Sequence, residues 1–338
     1  MAETKVLQRK MKAAWITRFG GPEVLEVREV DRPHIDAAQV LVRVHASSLN
    51  RADLLQRQGK YPPPPGYPVE IPGMEFAGEV AEVGTAVRKW KPEQRVFGLL
   101  GGAGQAEFIA THEDLLAEIP EGMSWVDAAA IPEAFITAHD ALWTQAQLRP
   151  GETVLINAVG SGVGLAAVQL VRALHAVPFG TSRTADKIEQ AKAHGLEKGL
   201  VVRENFDELV AAAEQWTGGK GINVVLDLVG GPYVRACQKL LAFKGRMMLV
   251  GTVGGGNYEL DARSMLSKRL TVRGTVLRAR TLDEKIQVTR LFAQEVVPLF
   301  AQSRLRTTID STFKLTDIAK AHARLESNES VGKVVIEV

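Results

Sequence analysis

Thr153-Val-Leu-Ile-Asn157 leads directly into Ala158-Val-Gly-Ser-Gly-Val-Gly164, and a helical pattern follows over residues 165–174. Strand, glycine turn and helix in that order open a dinucleotide-binding fold. The residue types follow from what the turn must do. Glycine permits the tight turn, the close approach of backbone to a pyrophosphate and the packing of helix on strand, while the helix N-terminus offers amides and a positive dipole end. Ser161, Gly162, Val163 and Gly164 are therefore candidate cofactor contacts. In NAD-binding proteins an acidic residue roughly 20 positions on takes the ribose 2′-hydroxyl. No acid ends the second strand here, residues 177–181; Ser182, Arg183 and, further on, Lys187 stand there instead. A hydroxyl and two cations suit a 2′-phosphate, so the expected cofactor is NADPH. Asp186 is the one competing acid, and it reads as a helix-start residue.

Working outward, strand patterns at 153–157, 177–181, 200–202, 223–227, 246–250 and 270–274 alternate with helical stretches. That alternation predicts an α/β domain with a doubly wound parallel sheet. Ligands of such sheets sit beyond the carboxyl ends of the strands. Gly251 and Thr252, after the fifth strand, are thus candidates for the nicotinamide amide, and Leu277, past the sixth, for covering the ring. Upstream, residues 11–119 are β-rich, with short runs at 12–17, 24–30, 40–46, 76–83, 95–99 and 105–110. The segment Tyr61-Pro-Pro-Pro-Pro-Gly-Tyr67 can be neither helix nor central strand and is expected to be a stiff loop. Residues 124–148 read as mostly helical, 282–302 as a long helix, 314–326 as a shorter one and 333–338 as a closing strand that folds back onto the N-terminal domain. The expected division is 1–125 with 276–338, and 126–275 for the nucleotide.

Composition narrows the function classes. The 338 residues supply ample core for two domains, and 46% hydrophobic content is that of an ordinary globular protein. With 41 Lys and Arg against 39 Asp and Glu, a net charge of +2 gives no field for tracking nucleic acid or an anionic membrane. The single cysteine, Cys237, excludes an internal disulfide framework and fits a reducing, cytoplasmic setting. No apolar run approaches the ~20 residues of a membrane span. Residues 1–10 mix charges without an apolar segment, which reads as an extension and not a signal peptide.

Several stretches in order carry a family resemblance: Ser48-Leu-Asn-Arg-Ala-Asp-Leu54 with Gln56-Arg-Gln-Gly59 and Tyr61, Ala129-Ala-Ile-Pro-Glu-Ala134 with Thr137-Ala138, Ser161-Gly-Val-Gly164, Leu226-Asp227 with Gly230-Gly231, and Val331-Gly-Lys-Val-Val335. With these the chain resembles the zinc-free medium-chain dehydrogenases/reductases of the quinone oxidoreductase group, and within it the p53-inducible type. The resemblance implies a GroES-like catalytic domain beside the nucleotide domain, a homodimer paired through the edge strand 270–274, and phosphate contacts from Asn328 and Lys333. Zinc-dependent members place a cysteine in the first loop and Gly-His-Glu later; here Asn50 and Gly73-Met74-Glu75 stand there. Thiolate and imidazole donors are missing, so no metal is expected. His175 replaces the glycine that usually ends the first nucleotide-domain helix, leaving that boundary without its usual signal.

Asn50, Tyr61 and Thr137 are the candidates beside the reacting ring. Asn50 inherits the position of a metal ligand, so its amide could bond a substrate carbonyl; its rival role is an Asx-turn cap on the helix 51–58. Tyr61 could donate to a developing oxyanion, stack on a flat ring or anchor the proline loop. Glu133, after Pro132 at a helix start, needs no role beyond the helix dipole. The 7 histidines show no ligand spacing. These features predict an NADPH-dependent, zinc-independent oxidoreductase acting on quinones. Its alternatives are reduction of α,β-unsaturated aldehydes or ketones and, in another class that the resemblance implies, an RNA-binding or structural protein, against which the near-neutral charge argues.

Overall fold

The computed structural model describes residues 10–338, so the expected extension lies, for residues 1–9, outside the described residues. The chain divides into two compact units. One comprises the residues up to Glu133 with Arg278–Ala301 and Thr307–Val338; the other comprises Ala134–Leu277 with Gln302–Arg306. Against the expected division, residues 126–133 go with the first unit. Trp125 stacks on His45 with ring centroids 4.4 Å apart, and Glu133 N–H donates to Glu75 Oε2 at 2.8 Å, which ties that stretch down. Residues 302–306 go with the second unit, where Gln169 exchanges two hydrogen bonds with the Arg306 backbone.

The second unit holds a six-stranded parallel sheet. In spatial order its strands are Lys198–Val201, Val177–Ser182, Thr153–Ile156, Ile222–Asp227, Leu241–Leu249 and Thr271–Gly274. Numbered by sequence that order is 3-2-1-4-5-6, the doubly wound topology with its switch point beside the first strand. Leu155, Phe179, Val225, Met247 and Cys237 meet in its core. Burying each such aliphatic or aromatic side chain contributes roughly 1.5–3 kcal/mol. The helix Gly162–Ala173 ends at Leu174, and His175 itself adopts the left-handed conformation, φ 59°, that the missing glycine would have taken. The helical stretch expected over 124–148 is broken into Trp125–Ala129, Pro132–His139 and a π-helical turn, Asp140–Gln145. Pro132 lacks the N–H that would continue the first piece.

The first unit is built on a seven-stranded sheet and the hairpin Lys10–Ile16 with Leu25–Asp31. The closing strand Lys333–Glu337 pairs antiparallel with Gln39–Ser48, as the fold-back expectation required. A strand that the sequence reading missed, Ile309–Lys314, pairs parallel with it on the other side. Its polar residues, Asp310, Ser311 and Thr312, hide the alternation that marks a half-buried strand. The expected long helix over 282–302 is two, Leu282–Glu295 and Val297–Ala301, separated at Val296. The strand expected at 105–110 lies at Phe108–His112. Among the described residues no helix is long and apolar enough to cross a membrane.

Candidate active site

In the second unit the nucleotide candidates gather at the carboxyl ends of the parallel strands. Ser161 caps the helix Gly162–Ala173, its Oγ accepting from Gly164 N–H at 3.1 Å. A Cβ on Gly164 would lie 2.6 Å from the carbonyl oxygens of Ala158 and Val159, so helix and strand meet there only through glycine. A Cβ on Gly160 would lie 2.7 Å from Lys187 Cβ, which lays the lysine stem over the glycine turn. Ser182 is buried at the end of its strand and Arg183 is exposed beside it. Asp186 stands in the first turn of Ala185–Lys192 and accepts from Gln190 Nε2 at 3.1 Å. Gly251 N–H reaches Asp227 O at 3.3 Å, Thr252 is exposed, and Leu277 is buried at the end of the unit. Thr137 lies buried on the helix Pro132–His139.

Beneath these loops runs a buried polar chain whose connection the sequence did not reveal, although Asp227 and Asn157 stand in stretches quoted above. Thr181 Oγ1 donates to Asn157 Oδ1 at 2.9 Å, and Asn157 Nδ2 donates to Asp227 Oδ1 at 3.1 Å. Asp227 also accepts from Val229 N–H and Gly230 N–H, each at 3.0 Å. Burial raises its carboxyl above the ordinary aspartate range, and these donors pull it back.

The first unit brings Asn50 and Lys333 together around Glu75. Lys333 Nζ donates to Glu75 Oε1 at 2.7 Å, Asn50 Oδ1 at 2.5 Å and Leu49 O at 3.1 Å. Glu75 Oε1 also accepts from Ser48 Oγ at 2.5 Å and Asn50 Nδ2 at 2.7 Å. All four side chains are buried. One expectation changes. Lys333, expected at the adenine-side phosphates, has its ammonium committed to a buried carboxylate that requires a counter-charge. Asn328 accepts from Arg51 Nη2 at 2.7 Å and donates to Glu326 O at 3.0 Å. The Asn50 side chain faces Glu75 and Lys333 and also belongs to a capping box on the helix Arg51–Arg57, in which Asp53 Oδ2 accepts Asn50 N–H at 2.7 Å, so the expected cap and the place in the cluster coexist.

Tyr61 is held by a residue with no local sequence signal. The Arg278 guanidinium lies over its ring, 5.0 Å from the centroid, and donates to Tyr61 O at 3.1 Å, Gly101 O at 2.7 Å and Gln56 Oε1. Burial raises the Tyr61 hydroxyl above the usual phenol range, against the nearby guanidinium charge. Glu75 did carry a signal, since it keeps the third place of the Gly-x-Glu motif.

Asp53 links the two loops that carry this cluster. Its Oδ1 accepts from Gly73 N–H at 2.9 Å, and Gly73, at φ 112°, could not carry a Cβ, which would lie 2.4 Å from Gln105 N. Full burial pushes the Asp53 carboxyl up to about 6, outweighing its two N–H partners. Between about pH 4 and 6 the native state then binds more protons than the unfolded chain, so stability falls as pH rises. The contribution is fully present below about pH 4 and is lost through about pH 6, amounting to at most about 3 kcal/mol. Urea unfolding of wild type and Asp53→Asn at pH 4.5 and 7 checks this. The wild type should lose more stability than the variant on going to pH 7, and equal changes would remove Asp53 from the account.

A doubly wound nucleotide sheet and, in the same chain, a β-rich unit with this cluster define a medium-chain dehydrogenase/reductase. Residues 36–121 match the alcohol dehydrogenase GroES-like domain and residues 200–336 the zinc-binding dehydrogenase family. The chain is 32% identical over 331 residues to quinone oxidoreductase-like protein 2 of Bos taurus, covering 98% of this chain and 93% of that one. It is 31% identical over 333 residues to the quinone oxidoreductase of Lama guanicoe, covering 97% and 98%. Among solved structures, a Pseudomonas syringae quinone oxidoreductase superposes with TM-score 0.86 at 27% identity, covering 97% and 100%. A mycobacterial protein complexed with NADPH gives 0.87 at 26%, covering 97% and 100%. An enoyl reductase gives 0.82 at 26%, covering 98% and 99%. The chain belongs to the zinc-free quinone oxidoreductase group of that family and is an oxidoreductase. The residues at the zinc-ligand positions do not fit a zinc ion: the Asn50 amide, the Met74 thioether and the Glu75 carboxylate stand there, and the carboxylate is already engaged by the Lys333 ammonium.

Proposed function

We propose that the protein transfers reducing equivalents from NADPH to quinones without a metal. The observation that carries this reading is the end of the second parallel strand, where Ser182, Arg183 and Lys187 stand and no carboxylate replaces them. The turn Ser161–Gly164 would hold the pyrophosphate against the helix N-terminus, and Ser182, Arg183 and Lys187 the 2′-phosphate. Gly251 and Thr252 would take the nicotinamide amide, Leu277 would cover the ring, and Thr137 would line its place. Bound NADPH supplies a hydride. The chain's own contribution is to orient the acceptor, exclude water and hydrogen-bond the oxygen that gains charge, the tasks assigned to Asn50 and Tyr61. A quinone delocalises that charge over its ring and both oxygens, so neutral donors suffice, and a proton from solvent completes the hydroquinone.

The likeness to an enoyl reductase favours one second reading, hydride delivery to the carbon–carbon double bond of an enal or enone. Steady-state rates with NADPH and NADH against ortho-quinones, para-quinones and a set of enals separate the two. Quinone turnover with NADPH preferred is expected; brisk enal turnover with negligible quinone turnover would reverse the order.

A further inference from the structure

We infer that Lys333 and Glu75 are positioning residues that fix which end of the Asn50 amide faces the substrate, an inference resting on the place given to Asn50 in the proposed function. An amide side chain can turn over, exchanging its oxygen for its nitrogen at nearly the same volume, and only its partners decide which end points where. Here the partners leave no choice. An ammonium can only donate and an ionised carboxylate can only accept. Lys333 Nζ at 2.5 Å therefore takes the oxygen of Asn50, and Glu75 Oε1 at 2.7 Å takes its nitrogen.

Neither charge is free to do anything else. The three N–H bonds of Lys333 go to Glu75, Asn50 and Leu49 O, and Glu75 Oε1 is shared with Ser48 Oγ while Oε2 accepts Glu133 N–H. The pair thus reaches a substrate only through Asn50. One Asn50 N–H is committed to Glu75; the other has Ser48 O at 3.5 Å, at the limit of hydrogen-bond geometry. That second N–H is the one available to an oxygen gaining negative charge. A flipped amide would offer a carbonyl oxygen at the same place and repel it.

Removing one partner alone leaves an uncompensated buried charge and endangers folding, whereas a neutral replacement of the whole pair is commonly tolerated. The test is therefore Glu75→Gln with Lys333→Met, made in the wild-type chain and again in Asn50→Ala. A glutamine can donate or accept, so it no longer specifies the orientation of Asn50. In the wild-type background kcat with NADPH and a quinone should fall roughly tenfold or more, toward the 10²–10³ that loss of a direct donor costs. KM for NADPH should stay within about threefold, since both charges are committed to each other, to Asn50 and to neighbouring groups of the chain. In the Asn50→Ala background the same pair of substitutions should change kcat by less than about threefold, because nothing is left to orient. Equal losses in the two backgrounds would mean that the pair acts structurally, and no loss in either would mean that it does not act at all; both overturn the inference while leaving the proposed function standing. A wild-type chain that turns over neither quinones nor enals with NADPH would overturn both.

Discussion

Arg183→Ala combined with Lys187→Ala is expected to weaken NADPH binding about 100-fold while NADH binding changes by less than about threefold. The magnitude comes from the bonds to be lost. A hydrogen bond to a charged group contributes roughly 1.5–3 kcal/mol, and two give an upper bound near 6. Arg183 is exposed, where water and salt screen its charge, so its share falls to the low end of that range or below. Lys187 is half-buried with its stem against Gly160, so its ammonium has less freedom to lose on binding. About 3 kcal/mol in all corresponds to the 100-fold stated. Calorimetric titration with both dinucleotides checks it, and raising the salt should shrink the gap. Equal weakening of the two cofactors would show that the basic strand end does not meet a 2′-phosphate.

The nucleotide sheet was readable because its signals are local. Apolar runs such as Val154-Leu-Ile156 and Val224-Val-Leu226, punctuated by glycine and separated by helical patterns, leave few other folds, and six strands appear where six were expected. Boundaries were less readable: Leu241–Leu249 begins well before its expected start at 246, because Lys244, Gly245 and Arg246 break the apolar run. In the first unit one missed strand, Ile309–Lys314, owes its existence to pairing with Lys333–Glu337 and not to its own pattern. The site divides in the same way. Asn50 and Tyr61 could be named from motifs, but what holds them could not. Arg278 reaches Gln56, Tyr61 and Gly101, and Lys333 reaches Asn50 and Glu75, across separations that no local spacing encodes. The lysine was legible as a motif residue and misplaced in role, since a charge alone does not reveal which opposite charge the fold buries beside it.

Asp227→Ala should strongly destabilise the nucleotide unit. The carboxylate is fully buried and accepts from three donors, Asn157 Nδ2 and the N–H groups of Val229 and Gly230. Alanine leaves the two backbone N–H groups without an acceptor and Asn157 Nδ2 with only the Cys237 sulfur at 3.3 Å, in a place water reaches poorly, at roughly 1–3 kcal/mol for each unsatisfied group. Relief of the burial cost that raises the Asp227 carboxyl offsets part of this, leaving a net loss of about 4 kcal/mol, or roughly 10 °C in melting temperature. The damage should reach the cofactor loops. Gly231 N–H bonds Gly255 O at 3.0 Å, Gly254 N–H bonds Val229 O at 2.8 Å, and Cβ atoms on Gly231 or Gly251 would lie 2.2 and 2.3 Å from carbonyl oxygens of the facing loop. The two loops are fitted backbone to backbone, so freeing residues 228–231 also frees Gly251 and Thr252. Asp227→Asn separates the effects: it keeps the volume and one acceptor but turns an NH₂ toward an N–H donor. It should melt between wild type and the alanine variant and bind NADPH about tenfold more weakly, as expected for the loss of roughly one hydrogen bond's contribution. If Asp227→Ala melts within about 2 °C of wild type, a shift worth less than 1 kcal/mol for a unit of this size, the carboxylate does not organise these loops.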